Sequence, residues 1–156
     1  MLAALGALAA PFVPLRAQRL TGFEAGAGVA LAVARHTMVA GELGAGYRPG
    51  GQSRLALAVA AGTEDGRGAM RAQLTAQFLV TPAARRGAGL YGGLGVAVAG
   101  RRGAPGSGYL ALLVGLEAAP GVGGRGWYAE LGLAGGARIA AGWRGRWFPG
   151  RSPGGG

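Results

Sequence analysis

The chain has 156 residues, no cysteine and a formal charge of +10, and all 16 of its basic residues are arginine. That length suits one domain, and without thiols there is neither a disulfide framework nor a thiolate metal site. Half the residues are apolar, yet no window approaches the roughly 18 continuous apolar residues that a membrane helix needs.

Residues 1–18, MLAALGALAAPFVPLRAQ, hold an apolar run of signal-peptide length with a small residue before Gln18. The expected organisation is a signal peptide over 1–17, a β domain over 18–148 and a disordered C-terminal tail over 149–156. The stretch Gly22–Ala34, GFEAGAGVALAVA, sorts by parity. Phe23, Ala25, Ala27, Val29, Leu31 and Val33 are all apolar. Gly22, Glu24, Gly26, Gly28, Ala30 and Ala32 are tiny apart from one carboxylate. A period of two is the strand period, because successive side chains point to opposite faces.

Seven more segments alternate in the same way. Thr37–Arg48 sets Val39, Leu43 and Tyr47 against Ala40, Glu42 and Gly44, and Arg54–Thr63 sets Leu55, Leu57 and Val59 against small residues. Ala69–Thr81 has Met70, Leu74 and Phe78 opposite Arg71, Gln73 and Gln77, and Gly89–Arg101 has Leu90, Leu94 and Val96 opposite Tyr91 and Gly93. Tyr109–Ala118 has Leu110, Leu112 and Val114 opposite Glu117, and Gly126–Gly135 has Trp127 and Leu131 opposite Tyr128 and Glu130. Arg138–Phe148 closes the series with Ile139, Trp143 and Trp147 opposite Arg138, Arg144 and Arg146. Each segment is near the 9–11 residues that cross a bilayer at a tilt. The connections are turn formers such as PGGQS at 49–53, EDGR at 64–67 and RRGAPGSG at 101–108. An even number of such segments with short connections predicts an all-β fold, an eight-stranded antiparallel up-and-down transmembrane β-barrel closed on itself.

Charge decides which face looks inward. Glu24, Glu42, Arg54, Arg71, Glu117, Glu130, Arg138, Arg144 and Arg146 all share the small-residue face. A lipid-facing charge at midplane costs about 2–4 kcal/mol, so this segregation predicts an interior charge network with the bulky face turned to lipid. An eight-stranded lumen is filled by side chains, so the expectation is a plugged interior in which Glu and Arg pair. Closure should bring Glu24 close to Arg144 or Arg146, and the last hairpin should bring Glu130 near Arg144. Phe23 and Trp127 lie near the starts of odd strands, and Tyr47, Phe78 and Trp147 near the ends of even ones. All five meet at the rim that carries the chain ends, as a one-sided interfacial aromatic girdle.

From Gly22 to Phe148 the pattern resembles the small eight-stranded outer-membrane barrels of Gram-negative bacteria, the outer-membrane protein A and X type. The resemblance implies a bacterial outer-membrane location, periplasmic chain ends and the lipid bilayer as partner. It also implies handling by the outer-membrane assembly machinery, which reads a terminal aromatic that Trp147 or Phe148 could supply. A tail after Phe148 departs from that family pattern.

Other chemistries find little support. Nucleic-acid binding wants arginines gathered on one face with stacking aromatics, whereas here they sit at turns (Arg48, Arg67, Arg85, Arg86, Arg101, Arg102, Arg125) or on the small-residue face. His36 is the only histidine, and one histidine without clustered carboxylates makes a poor metal site. No cofactor is expected, since Gly121–Gly126 matches GxGxxG by letter but leads into a strand, not the helix that a dinucleotide needs. Two alternatives remain: a soluble lipocalin-like calyx for an apolar ligand, and a lipid hydrolase using His36 and Ser107 with Glu64 or Asp65. Arg67, Arg101 and Arg102 on the outer side are placed to meet lipopolysaccharide phosphates. A structural or surface-interaction role without catalysis is the reading that the pattern supports.

Overall fold

The computed structural model describes residues 21–149; the segment expected to be a signal peptide and the expected tail beyond Pro149 lie outside them. Eight strands follow in order: β1 (Gly22–Val33), β2 (Thr37–Arg48), β3 (Ser53–Glu64), β4 (Arg67–Leu79), β5 (Ala88–Arg101), β6 (Ser107–Ala118), β7 (Gly124–Leu133) and β8 (Ala137–Trp147). Neighbours in sequence pair antiparallel, and β1 pairs with β8 to close the barrel.

Paired residues run round the ring from Phe23 through Tyr47, Leu55, Ala76, Leu94, Leu112, Leu133 and Ala137. They return to β1 at Val33, a stagger of ten residues from Phe23 to Val33. With ordinary strand spacing and rise, that stagger tilts the strands about 40° from the axis. Parity survives the circuit, so every residue on this path points outward.

Strand ends differ from the sequence expectation by at most two residues, and at the β3–β4 hairpin the turn is tighter than composition suggests. EDGR is not all turn: Glu64 pairs with Arg67, and only Asp65 and Gly66 make the bend. Both have positive φ, 48° and 78°, the signature of the type I′ hairpin that Asp-Gly favours. Ser107 is likewise the first residue of β6 and not part of a loop.

The seam that closes the barrel explains part of the glycine content. Gly28 faces Gly142 across β1 and β8. A Cβ on Gly28 would lie 2.3 Å from the Ala141 carbonyl oxygen, and one on Gly142 would lie 2.2 Å from that of Ala27. Backbone cannot yield there without opening the ladder. Gly142→Ala is expected to destabilise the barrel by about 1–3 kcal/mol, as overpacking does elsewhere, read as a lower urea midpoint for the folded gel band.

The interior divides by height. Away from the chain ends two small apolar clusters, Met38, Ala40, Ala60 and Ala69 in one and Ala97, Ala111 and Ala134 in the other, pack around the buried Arg71 and Arg138. Toward the chain ends, Leu79, Tyr91 and Leu113 pack beside the charged residues. The outer wall carries the large apolar side chains: Leu57, Leu94 and Leu112 are exposed, while Glu42 and Arg71 are buried.

Candidate functional site

The distinguishing chemistry lies inside the barrel, where six arginines and four glutamates are enclosed. Toward the chain ends, Glu24 from β1 and Glu117 from β6 stand among four guanidiniums. Arg54 Nη1 donates to Glu24 Oε2 at 2.9 Å and to Glu117 Oε2 at 2.8 Å. Arg144 donates to Glu117 at 2.7 Å and Arg146 at 3.1 Å. Across the closing seam Glu24 lies 3.6 Å from Arg144 and 3.9 Å from Arg146, as a closed ring requires.

A second group sits farther in. Arg138 Nη1 donates to Glu130 Oε2 at 2.9 Å, and its other terminal nitrogen bonds Glu42. Arg144 Nη2 reaches Glu130 at 3.4 Å, which links the two groups, and the Tyr91 hydroxyl donates to Glu130 at 2.8 Å. Ions in so enclosed a space survive only with partners this close, because desolvating each costs several kcal/mol. The guanidiniums also stack: that of Arg54 lies 4.5 Å from the centre of the Tyr91 ring and that of Arg144 4.6 Å from that of Tyr128, a contact favoured by the ring quadrupole.

Two residues depart from the expectation. Arg48, assigned from sequence to a turn, is fully buried in the lumen, with its Nε 3.1 Å from Glu24 and its Nη1 donating 2.7 Å to the Pro120 carbonyl. Parity along β2 carries the signal, since Arg48 follows Glu42, Gly44 and Gly46 on the inward face; the turn formers after it masked this. Arg71 meets no carboxylate within ion-pair distance among the described residues. It donates instead 2.8 Å across the lumen to the Ala134 carbonyl, just past the end of β7. That bond ties down the barrel's shortest ladder, which runs only from Leu112↔Leu133 to Glu117↔Tyr128.

At the chain-end rim the Arg48 guanidinium stands 5.7 Å from the centre of the Phe148 ring. Phe148 continues the inward parity of Arg144 and Arg146 and closes this mouth, leaving Trp147 as the outward aromatic. Between the two charged groups remains a cavity of about 30 Å³ lined by Gln73, Thr75, Glu42 and Glu130. That is room for a water molecule or two, and the buried Gln73 carbonyl oxygen has no hydrogen-bond partner among the described residues.

Phe23, Tyr47, Phe78, Trp127 and Trp147 all project outward at the chain-end rim. Phe23 pairs with Tyr47 on one side and Trp147 on the other, its ring centroid 5.2 Å from that of Tyr47.

At the opposite rim His36 Nδ1 bonds the Asp65 carboxylate, and this hydrogen bond holds Asp65 below the usual carboxylate range. A lowered folded-state value means the bond contributes above the ordinary aspartate pKa and is lost as pH falls through the lowered one. Carboxyl NMR titration should therefore show an Asp65 midpoint below that of ordinary aspartate, and His36→Ala should return it to normal. Ser107 does not join the pair: it starts β6, on the opposite side of the ring from the β1–β2 turn that holds His36. A serine hydrolase site needs the nucleophile within hydrogen-bond reach of its base, and no such bond occurs among the described residues.

Solved structures supply the comparison. The chain is similar to the N-terminal β-barrel domain of Pseudomonas aeruginosa OprF, at 18% identity and TM-score 0.62, over 83% of this chain and 100% of that one. It is similar to the outer membrane protein OprG of Pseudomonas aeruginosa, at 10% identity and TM-score 0.65, over 83% and 97% of the two chains. Neisserial surface protein A aligns at 15% identity and TM-score 0.52, over 81% and 97%. The fold is that of the small eight-stranded outer-membrane barrels. No protein-family model and no curated protein matches the sequence. The outer-membrane barrel fold is thus carried here by its inside-out patterning, on a sequence far from those of its structural neighbours.

Proposed function

We propose that the chain is an integral protein of the bacterial outer membrane, a barrel with a filled, ionic interior that serves the envelope structurally or as a surface-interaction component and catalyses no reaction. One observation carries this: the molecule wears its apolar side chains outside and pairs its ions inside. Among large outward residues, Leu94 is 65% and Trp143 69% exposed, which in water would be a continuous aggregation surface. In a bilayer it is the lipid-facing band, and the aromatic cluster marks one interface. A soluble calyx would need an apolar lumen with room for its ligand, and this lumen is ionic and nearly full.

By the topology of the barrels it resembles, the rim with the chain ends faces the periplasm. The opposite rim then presents Arg67, Arg101 and Arg102 to lipopolysaccharide phosphates, and the outer-membrane assembly machinery inserts the chain. The test is fractionation of a Gram-negative host with gel migration of unboiled and boiled samples. Outer-membrane recovery, a heat-dependent mobility shift and no unitary conductance steps in planar bilayers are expected. Recovery in the soluble fraction would defeat the reading.

A further inference from the structure

The outer wall is not uniformly smooth at the chain-end rim. Between β8 and β1 a groove of about 530 Å³ has a floor of Ala25, Ala27 and Gly145 and is flanked by Trp143 and Trp147. The small floor is a consequence of parity, since these three face outward where leucine or valine stands on most strands. The Trp147 ring lies over Gly145, 3.1 Å from where a Cβ would stand. Gly145 pairs with Arg125 of β7, the groove's exposed cation. Trp127, two residues further along β7 on the same outward face, pairs with Trp143.

The charges around this groove have one sign. The chain has six acidic residues. Glu24, Glu42, Glu117 and Glu130 are buried in the lumen, and Glu64 and Asp65 are at the opposite rim. Among the described residues, the exterior of the chain-end rim therefore carries Arg85, Arg86 and Arg125 with no carboxylate side chain to balance them. A second outward groove, of about 650 Å³ beside Phe78, Leu90 and Leu94, has no cation in its lining; it suits any acyl chain. Among the described residues, the Trp143–Trp147 groove joins an apolar trough, a pair of indoles and an exposed guanidinium at the depth of the aromatic girdle.

We infer that this groove is a binding site for an anionic phospholipid of the adjacent leaflet, with one acyl chain against Ala25, Ala27 and Gly145 and the headgroup phosphate on Arg125. The site rests on the membrane-spanning reading above. The occupant is a phospholipid with net negative charge, because a zwitterionic headgroup sets its own cation against the arginine. An arginine at the membrane surface favours an anionic lipid by about fivefold. The guanidinium offers its planar fork to two phosphate oxygens at once.

All three tryptophans of the chain border this region, so tryptophan fluorescence, excited apart from the four tyrosines, reports on this side of the wall. The full-length barrel is reconstituted in phosphatidylcholine vesicles containing brominated phosphatidylglycerol or brominated phosphatidylcholine at increasing mole fraction. Half-maximal quenching is expected at about fivefold lower mole fraction for brominated phosphatidylglycerol. Arg125→Gln should remove that difference while leaving the heat-dependent gel shift intact, and Arg85→Gln should preserve it. Equal quenching by both lipids, or a preference that survives Arg125→Gln, would overturn the site and leave the membrane reading standing. No quenching by either lipid would remove the membrane reading, and the site with it.

Discussion

Glu117→Gln should be among the most damaging single substitutions in this protein, costing about 3–5 kcal/mol. Four guanidiniums converge on this carboxylate: Arg54 at 2.8 Å, Arg144 at 2.7 Å, Arg146 at 3.1 Å and Arg48 at 3.6 Å. Neutralising it keeps the shape and removes the charge, so Glu24 is left to face the same four cations from the other side. The interior, with six arginines against four glutamates, then carries a further uncompensated charge. Folded outer-membrane barrels have a finite margin, and a loss of this size shifts the urea midpoint in vesicles far down or abolishes the folded gel band.

The same geometry says how to recover part of the loss. Once Glu117 is neutral, the Arg144 guanidinium is repelled by its neighbours, so Arg144→Met removes a liability as well as a partner. The double variant should be less destabilised than the two single changes summed, by roughly 0.5–3 kcal/mol, as for contacting residues in one network. Simple additivity would mean the four arginines are screened from one another, and the ion cluster would lose its standing as a unit. Neighbouring pairs offer a contrast, since Arg71 bonds a carbonyl and not a carboxylate.

How much of this was legible in the chain follows from what period two can carry. Alternation fixes the face on which a residue lies, so the apolar coat and the side of Glu42, Arg71 and Arg138 follow from parity alone. It says nothing of the stagger between strands. Which guanidinium meets which carboxylate depends on the ten-residue offset round the ring, and only contacts across the closing seam or within one hairpin, such as Glu24 with Arg144 or Glu130 with Arg144, could be placed beforehand. Arg48 was lost because turn chemistry after it outweighed parity before it. Phe148 lies just beyond the last strand, so its turn into the mouth over Arg48 is visible only when the mouth is built. Ser107 and His36 both belong to the rim away from the chain ends, but a linear reading does not show that a ring of eight puts them on opposite sides.

Leu94→Arg tests the other half of the inversion, and its size depends on what surrounds the barrel. Leu94 stands midway along β5 and is 65% exposed. On a solvated sheet face an arginine there would change stability by no more than about 0.5 kcal/mol. Against hydrocarbon near the midplane it costs about 2–4 kcal/mol, with no nearby carboxylate on the outer wall to offset it. Val98, on the same strand and face but two alternations nearer the rim, is also exposed; there an arginine can extend toward the headgroups. Val98→Arg should therefore cost only about 0–1 kcal/mol. Equilibrium unfolding of both variants in vesicles reads the difference directly. A steep loss at Leu94 with a shallow one at Val98 is the gradient that a bilayer imposes, whereas two equally small effects would mean that water lies against this wall.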